Sequence, residues 1–204
     1  MSLLIMSSIE SKKHFQKLAS NYITNWSHGL PGYLRRRETS SLLFILESIF
    51  FDKLLDLGSG PGLFAIAAKK RFNCKARLID ISEEMILEAR KMNPDAHVAD
   101  IQTYADDQSY SLVTSIGVME FLSDQRAFLD NLACLITKGG HLLLFIPAFQ
   151  PWKTLYSLFY KIKSVHLKFP KEDEIIKTLS KKGFFLERSL RIFPTGKALL
   201  FKKV

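Results

Sequence analysis

Between residues 53 and 146 the chain alternates short apolar runs with stretches of helical periodicity. Lys53–Leu57, Ala76–Asp80, Ala96–Ala99, Tyr110–Ile116 and His141–Ile146 read as strands. Short, mostly apolar runs bounded by turn formers suit strands that are buried on both faces. Between them, Pro61–Arg71, Ser82–Lys91 and Asp124–Thr137 read as helices. Pro61 suits a first helical position, and Ser82 an N-cap with Glu83 and Glu84 in the favourable first turn. Lys138-Gly139-Gly140 turns the chain into the fifth strand. Ahead of this region, Ser8–Trp26 and Tyr33–Phe50 read as helices separated by a turn at His28-Gly29-Leu30-Pro31-Gly32. Behind it, a helix over Lys171–Lys182 stops at Gly183, and Phe184–Ile192 with Ala198–Lys202 form a hairpin. Strands alternating with helices predict βαβ units in an α/β, doubly wound sheet. That sheet is mostly parallel with a C-terminal antiparallel hairpin, and it carries helices on both faces.

Composition narrows the setting. The 204 residues suit one domain, with 47% hydrophobic and 24% charged residues as in ordinary globular proteins. Two distant cysteines, Cys74 and Cys134, exclude a disulfide framework and a cysteine-rich zinc site and fit a reducing, cytoplasmic setting. The opening MSLLIMSSIE lacks the basic flank and length of a signal peptide, and Leu142–Phe149 is too short to span a bilayer. The five histidines show no metal-ligand spacing, so no metal is expected. Residues 151–204 hold 13 Lys/Arg against 4 Asp/Glu, so the whole net charge of +9 sits in the last quarter. Such a face suits an anionic partner or plain solvation.

The most informative segment is Asp56-Leu57-Gly58-Ser59-Gly60-Pro61-Gly62, which leaves a buried strand and enters a helix. Glycines there allow positive φ and close approach of backbone to ligand, at the strand end where open α/β sheets bind ligands. Leu63 breaks a GxGxxG dinucleotide fingerprint, and no Gly-Lys-Ser/Thr ends the loop as in a P-loop. Asp80 closes the second strand, where a carboxylate can bind a ribose diol. Asp100-Ile101 follows the third.

In this order the motifs resemble the class I S-adenosylmethionine-dependent methyltransferases, and most of all small-molecule members of the type 11 and type 25 kinds. The match is good over about residues 50–150 and loose elsewhere. It implies a Rossmann-like fold binding S-adenosyl-L-methionine and releasing S-adenosyl-L-homocysteine. By resemblance, Asp56 borders the methionine moiety, Gly58 and Gly60 approach it, and Ser59 and Gly62 also bind the cofactor. Asp80 holds the ribose, Ile81 packs on the adenine, Asp100 with Ile101 bracket its edge, and Met85 is a further cofactor-binding residue. Ser115 and Gly117 line the pocket floor near the sulfonium. Phe15 to Tyr22 resembles a segment that many members lay across the cofactor, placing Tyr22 at the methionine end. Arg35, Arg36 and Arg37 offer a cation for the cofactor carboxylate or form a solvated cluster.

The chain then divides into a helical cap at 1–50, a cofactor-binding core at 51–147, a lid-like insertion at 148–170, and a helix with hairpin at 171–204. Methyl transfer from a sulfonium needs alignment more than acid–base chemistry. Where relatives read Gly-Val-Leu-Glu-His-Leu, this chain has Phe121 in the histidine position, so no catalytic base carries over. Glu120 reads as a base or as a structural carboxylate, and His28 and His166 as bases or surface groups.

The insertion places Trp152, Leu155, Tyr156, Phe159 and Ile162 on one helical face, with Lys153, Ser157, Lys161 and Ser164 opposite. It reads as a lid over a hydrophobic or aromatic acceptor, as plain packing, or as a helix resting on an anionic membrane surface. A small-molecule acceptor leads, with no nucleic acid and no obligate protein partner. An RNA-modifying enzyme and a non-catalytic S-adenosylmethionine-binding scaffold are the alternatives.

Overall fold

The computed structural model describes residues 29–162 and 167–204. The expected helix over Ser8–Trp26, with Tyr22, lies outside the described residues, as do His28 and His166. In chain order the elements are α1 (Gly29–Leu46), β1 (Lys53–Leu57), α2 (Leu63–Phe72), β2 (Lys75–Asp80), α3 (Glu83–Arg90), β3 (Ala96–Val98) and β4 (Tyr110–Ile116). A 3-10 turn at Met119–Phe121 leads to α4 (Gln125–Leu135), β5 (Ile136–Pro147), α5 (Gln150–Ile162), α6 (Glu172–Ser180), β6 (Phe184–Ile192) and β7 (Gly196–Lys203).

The seven strands form one sheet in the order β3-β2-β1-β4-β5-β7-β6. β1 to β5 run parallel, and β7 runs antiparallel to both β5 and β6. The two-residue period of a strand sorts each apolar run onto two faces. Leu54, Leu112, Leu143 and Leu200 pack with Leu46 of α1, Phe64 of α2 and Ile86 of α3. Leu55, Val113, Leu142 and Phe201 pack with Phe128 and Leu132 of α4 and with Leu179 of α6. The result is the doubly wound sheet that the alternation predicts, including the terminal hairpin. Because β1 lies between β2 and β4, the crossovers diverge at its carboxyl end and leave a crevice there.

Several boundaries differ from the sequence reading. The expected turn at His28–Gly32 is, from Gly29 onward, already helix: Pro31 falls in the first turn, where a missing N–H costs nothing. That helix ends at Leu46, four residues early, and the Ser48 hydroxyl donates to the Ile45 carbonyl. Pro61 is not a first helical residue. Gly62 adopts φ +78°, a left-handed conformation outside the helix, so α2 begins at Leu63. α4 stops at Leu135, and Ile136 already pairs with Tyr110. The register then shifts, so that Leu112 next faces His141, and Gly139 takes φ +79° within that irregularity. The Ser82 cap holds: its Oγ accepts from the Met85 N–H at 3.3 Å.

Candidate active site

The glycine loop after β1 is held by backbone bonds across the sheet end. The Gly58 and Ser59 N–H groups both donate to the Ile79 carbonyl, at 2.8 and 3.1 Å. Asp80 fixes the loop from the other side, accepting from the Gly60 N–H at 2.8 Å and the Ser82 N–H at 2.9 Å. Each glycine has a separate steric reason. A Cβ on Gly58 would stand 2.4 Å from Val118 Cγ2, and one on Gly62 would stand 2.4 Å from Leu78 Cδ2. A Cβ on Gly60 would meet nothing within 4 Å. Gly58 and Gly62 are therefore packed against side chains, while Gly60 opens onto free space.

That space is a cavity of about 690 Å³ over the carboxyl ends of β1 to β5. Such a volume is ordinary for a small-molecule site. Of the residues expected from the sequence, Asp56, Gly58, Ser59, Gly60, Asp80, Ile81, Met85, Asp100, Ile101 and Gly117 line it. Two do not. Gly62 lies behind the loop against Leu78, because its role is close packing of α2 on β2. Ser115 is buried in β4 with an unpartnered Oγ, because its neighbours Ile116 and Gly117 take the cavity wall. Asp100 is half-buried, and its Oδ1 accepts from the Gln102 N–H at 2.9 Å.

Asp56 receives a hydrogen bond from the Thr114 hydroxyl at 2.7 Å. Burial outweighs that bond and pushes its carboxyl up to about 7, and the nearby Asp80 charge adds to the rise. Asp80 is also raised by burial, opposed by its backbone N–H donors.

The opposite end of the cavity is built from α1, the 3-10 turn and α5: Leu34, Leu42, Phe121, Leu155, Tyr156 and Tyr160 line it. Leu155 and Tyr156 come from the expected face of the insertion helix. Tyr160, absent from that expectation, is buried between Phe121 and Tyr156, with ring centroids 5.1 and 4.8 Å away. Trp152, Phe159 and Ile162 have side chains outside the described residues. Lys153, expected on the polar face, is half-buried with its Nζ 5.6 Å from the Phe169 ring centroid.

Within this apolar chamber sit two buried carboxylates, Glu38 at 6% and Glu120 at 1% exposure. Glu38 accepts from Arg35 Nη1 at 2.7 Å, and Thr195 lines the same cavity. Its carboxyl is raised by burial, with Arg35 opposing. Glu120 is pushed up to about 7 by burial, with the Glu38 charge adding and Arg35 opposing. Its Oε2 is buried without a hydrogen-bond partner. Glu38 was not legible as a site residue: among the amphipathic residues of α1 it looks like any surface glutamate. Arg35 faces the cavity, whereas Arg36 and Arg37 are exposed.

A family model described as "Methyltransferase domain" matches residues 55–144. Malonyl-[acyl-carrier protein] O-methyltransferase 1 of Ilyobacter polytropus is 27% identical over 168 residues, 72% of this chain and 61% of that protein. The chain thus spans less than two thirds of that relative. Magnesium protoporphyrin IX methyltransferase (ChlM) from Synechocystis PCC 6803, solved with bound S-adenosylhomocysteine, superposes with a TM-score of 0.77 at 16% identity, covering 97% of this chain and 100% of that one. N-methyltransferase NodS from Bradyrhizobium japonicum WM9, also with S-adenosylhomocysteine, gives 0.75 at 16% identity, covering 95% and 98%. These two share the fold. The family match spans the glycine loop and the acids at the ends of β1, β2 and β3, so residues 55–144 are similar to a methyltransferase domain.

Proposed function

We propose that the chain transfers the methyl group of S-adenosyl-L-methionine to a small hydrophobic or aromatic acceptor, releasing S-adenosyl-L-homocysteine. The observation that carries this reading is one cavity with two unlike ends: loop glycines and acids at one, apolar and aromatic side chains at the other. The cofactor fits the first end, because Gly60 offers open space for a ligand and Asp80 and Asp100 line that wall. Asp80 would hold the ribose while locking the loop, and Ile81 and Met85 would pack at the adenine with Asp100 and Ile101 at its edge. When bound, the cofactor supplies a methyl group already activated by its sulfonium. The protein aligns the acceptor with that carbon and keeps water out, and such positioning can supply about 7–11 kcal/mol of barrier lowering. Leu155 and Tyr156 of α5 and Leu34 and Leu42 of α1 would surround the acceptor.

A small molecule suits this chamber better than nucleic acid. Arg35 is the sole lysine or arginine among the described residues lining the cavity, and it is engaged with Glu38. Several lysines of the basic C-terminal quarter have structural partners elsewhere. Lys182 pairs with Asp130 at 3.0 Å, Lys197 with Glu172 at 2.6 Å, and Lys203 Nζ donates to the Ala133 and Ile136 carbonyls. Among the described residues no helix is long and apolar enough to cross a membrane. Calorimetric titration with S-adenosylhomocysteine tests the cofactor, and its failure at millimolar ligand overturns the proposal. Transfer of label from methyl-labelled S-adenosylmethionine to a panel of small apolar acceptors tests the reaction.

A further inference from the structure

The acceptor chamber holds more negative charge than an apolar lid requires. Glu38 and Glu120 are both buried there, and among the described residues lining the cavity Arg35 is the one formal cation. Arg35 is bonded to Glu38, and Glu120 Oε2 has no hydrogen-bond partner. An unpaired buried carboxylate is costly unless a ligand or a proton neutralises it. Three aromatic rings stand at the same end, with Tyr160 edge-on to both Phe121 and Tyr156. Carboxylate beside aromatic faces is the chemistry that recognises an ammonium. A carboxylate acceptor would instead meet the unpartnered Glu120 oxygen.

Resting on the methyltransferase reading above, we propose that the acceptor presents a primary or secondary amine, bound as its ammonium against Glu120 and the Phe121, Tyr156 and Tyr160 rings, and that Glu120 is the catalytic residue that takes its proton. The ammonium first gives one proton to the Glu120 carboxylate. The freed nitrogen lone pair then attacks the methyl carbon, the C–N bond forms, and the C–S bond electrons return to sulfur. The products are a methylated ammonium, neutral S-adenosylhomocysteine and protonated Glu120, so charge and protons balance. Burial already poises Glu120 for this exchange, since its carboxyl sits at about 7. Its state is set by burial, opposed by a hydrogen bond from its own backbone N–H, and by Glu38 and Arg35 from α1, while the Tyr156 hydroxyl of α5 is itself raised by burial and by the Glu120 charge. The Lys168 N–H donates to the Glu120 carbonyl at 2.8 Å and holds its backbone in place.

The test uses the full chain loaded with S-adenosylhomocysteine and a matched set of probes: 2-phenylethylamine, 2-phenylethanol and 3-phenylpropionate. Calorimetry at pH 6.5, in buffers of different ionisation enthalpy, is expected to show the amine binding at least tenfold more tightly than the alcohol or the acid, as a charge-assisted bond would give. The bound cation should also expel a fraction of a proton from wild-type Glu120, a signal that needs no variant. Glu120→Gln should abolish that release and the preference for the amine, while its S-adenosylhomocysteine affinity shows that it is folded. Equal binding of amine and alcohol, tighter binding of the acid, or no proton release overturns the amine assignment. If S-adenosylhomocysteine itself fails to bind, the underlying methyltransferase reading fails instead.

Discussion

The two ends of the cavity are built by different means. The end proposed for the cofactor is made of backbone: loops after parallel strands, fixed by main-chain N–H groups and by one carboxylate that binds two of them. The end proposed for the acceptor is made of side chains from three distant segments, α1, the turn after β4, and α5. Backbone geometry at a strand end is a local property, so it repeats wherever a chain forms this crossover. A chamber assembled from distant side chains depends on how helices pack, and its polar groups pay for burial individually. The glycine-loop end is thus specified by conformation and the opposite end by electrostatics.

Substitutions can break this contrast. The largest effect is expected at Gly62, which combines φ +78° with a 2.4 Å approach of a Cβ to Leu78. Gly62→Ala should lower stability by about 3 kcal/mol, the sum of left-handed strain and overpacking. Urea unfolding will read it, and an unchanged midpoint would refute the packing role. Next, Asp80→Ala removes the acceptor of the Gly60 and Ser82 N–H groups. Its S-adenosylhomocysteine affinity should fall about 50-fold, some 2–3 kcal/mol, by loss of charged hydrogen bonds. Calorimetry should also show Asp80→Asn intermediate.

On the acceptor side the signature is pH. Glu120 titrates near 7 in the fold and near 4.5 when unfolded, so the folded state holds its proton where the unfolded state has lost it. Stability of the ligand-free protein should therefore fall as pH rises from about 4.5 to 7 and then level off. Asp56, also near 7, adds to the same slope. Glu120→Gln should flatten it and gain about 2 kcal/mol at pH 8, a discounted form of the full shift because the amide also needs partners. Urea midpoints at pH 5 to 8 check this, and a slope equal to wild type would mean that Glu120 is not the group titrating. The smallest effect belongs to Asp100→Asn: a half-exposed carboxylate at the cavity edge should cost about threefold in cofactor affinity, under 1 kcal/mol, as exposed polar contacts do.

Legibility in the sequence followed the same divide. β1, β4 and β6 have the bounds that their apolar runs predict, and the acids at 56, 80 and 100 all line the cavity. Gly62 was the loop residue misplaced, because spacing reports that a glycine is needed without telling ligand approach from side-chain packing. Glu38 was missed since nothing local marks it. Its burial arises only when α1 packs over the cavity, where it shares the lining with Thr195, far away in sequence. Glu120 was noticed, but its unpartnered oxygen is a property of what surrounds it.

The contact between Gly58 and Val118 bears on redesign. Because Val118 fills the place where a Cβ on residue 58 would stand, it packs on the glycine loop and lines the cavity at once. Trimming Val118 to admit a bulkier acceptor would loosen the loop that holds the donor. Leu155, exposed on α5 and remote in sequence from that loop, carries no such obligation. An engineer seeking new acceptors should begin there.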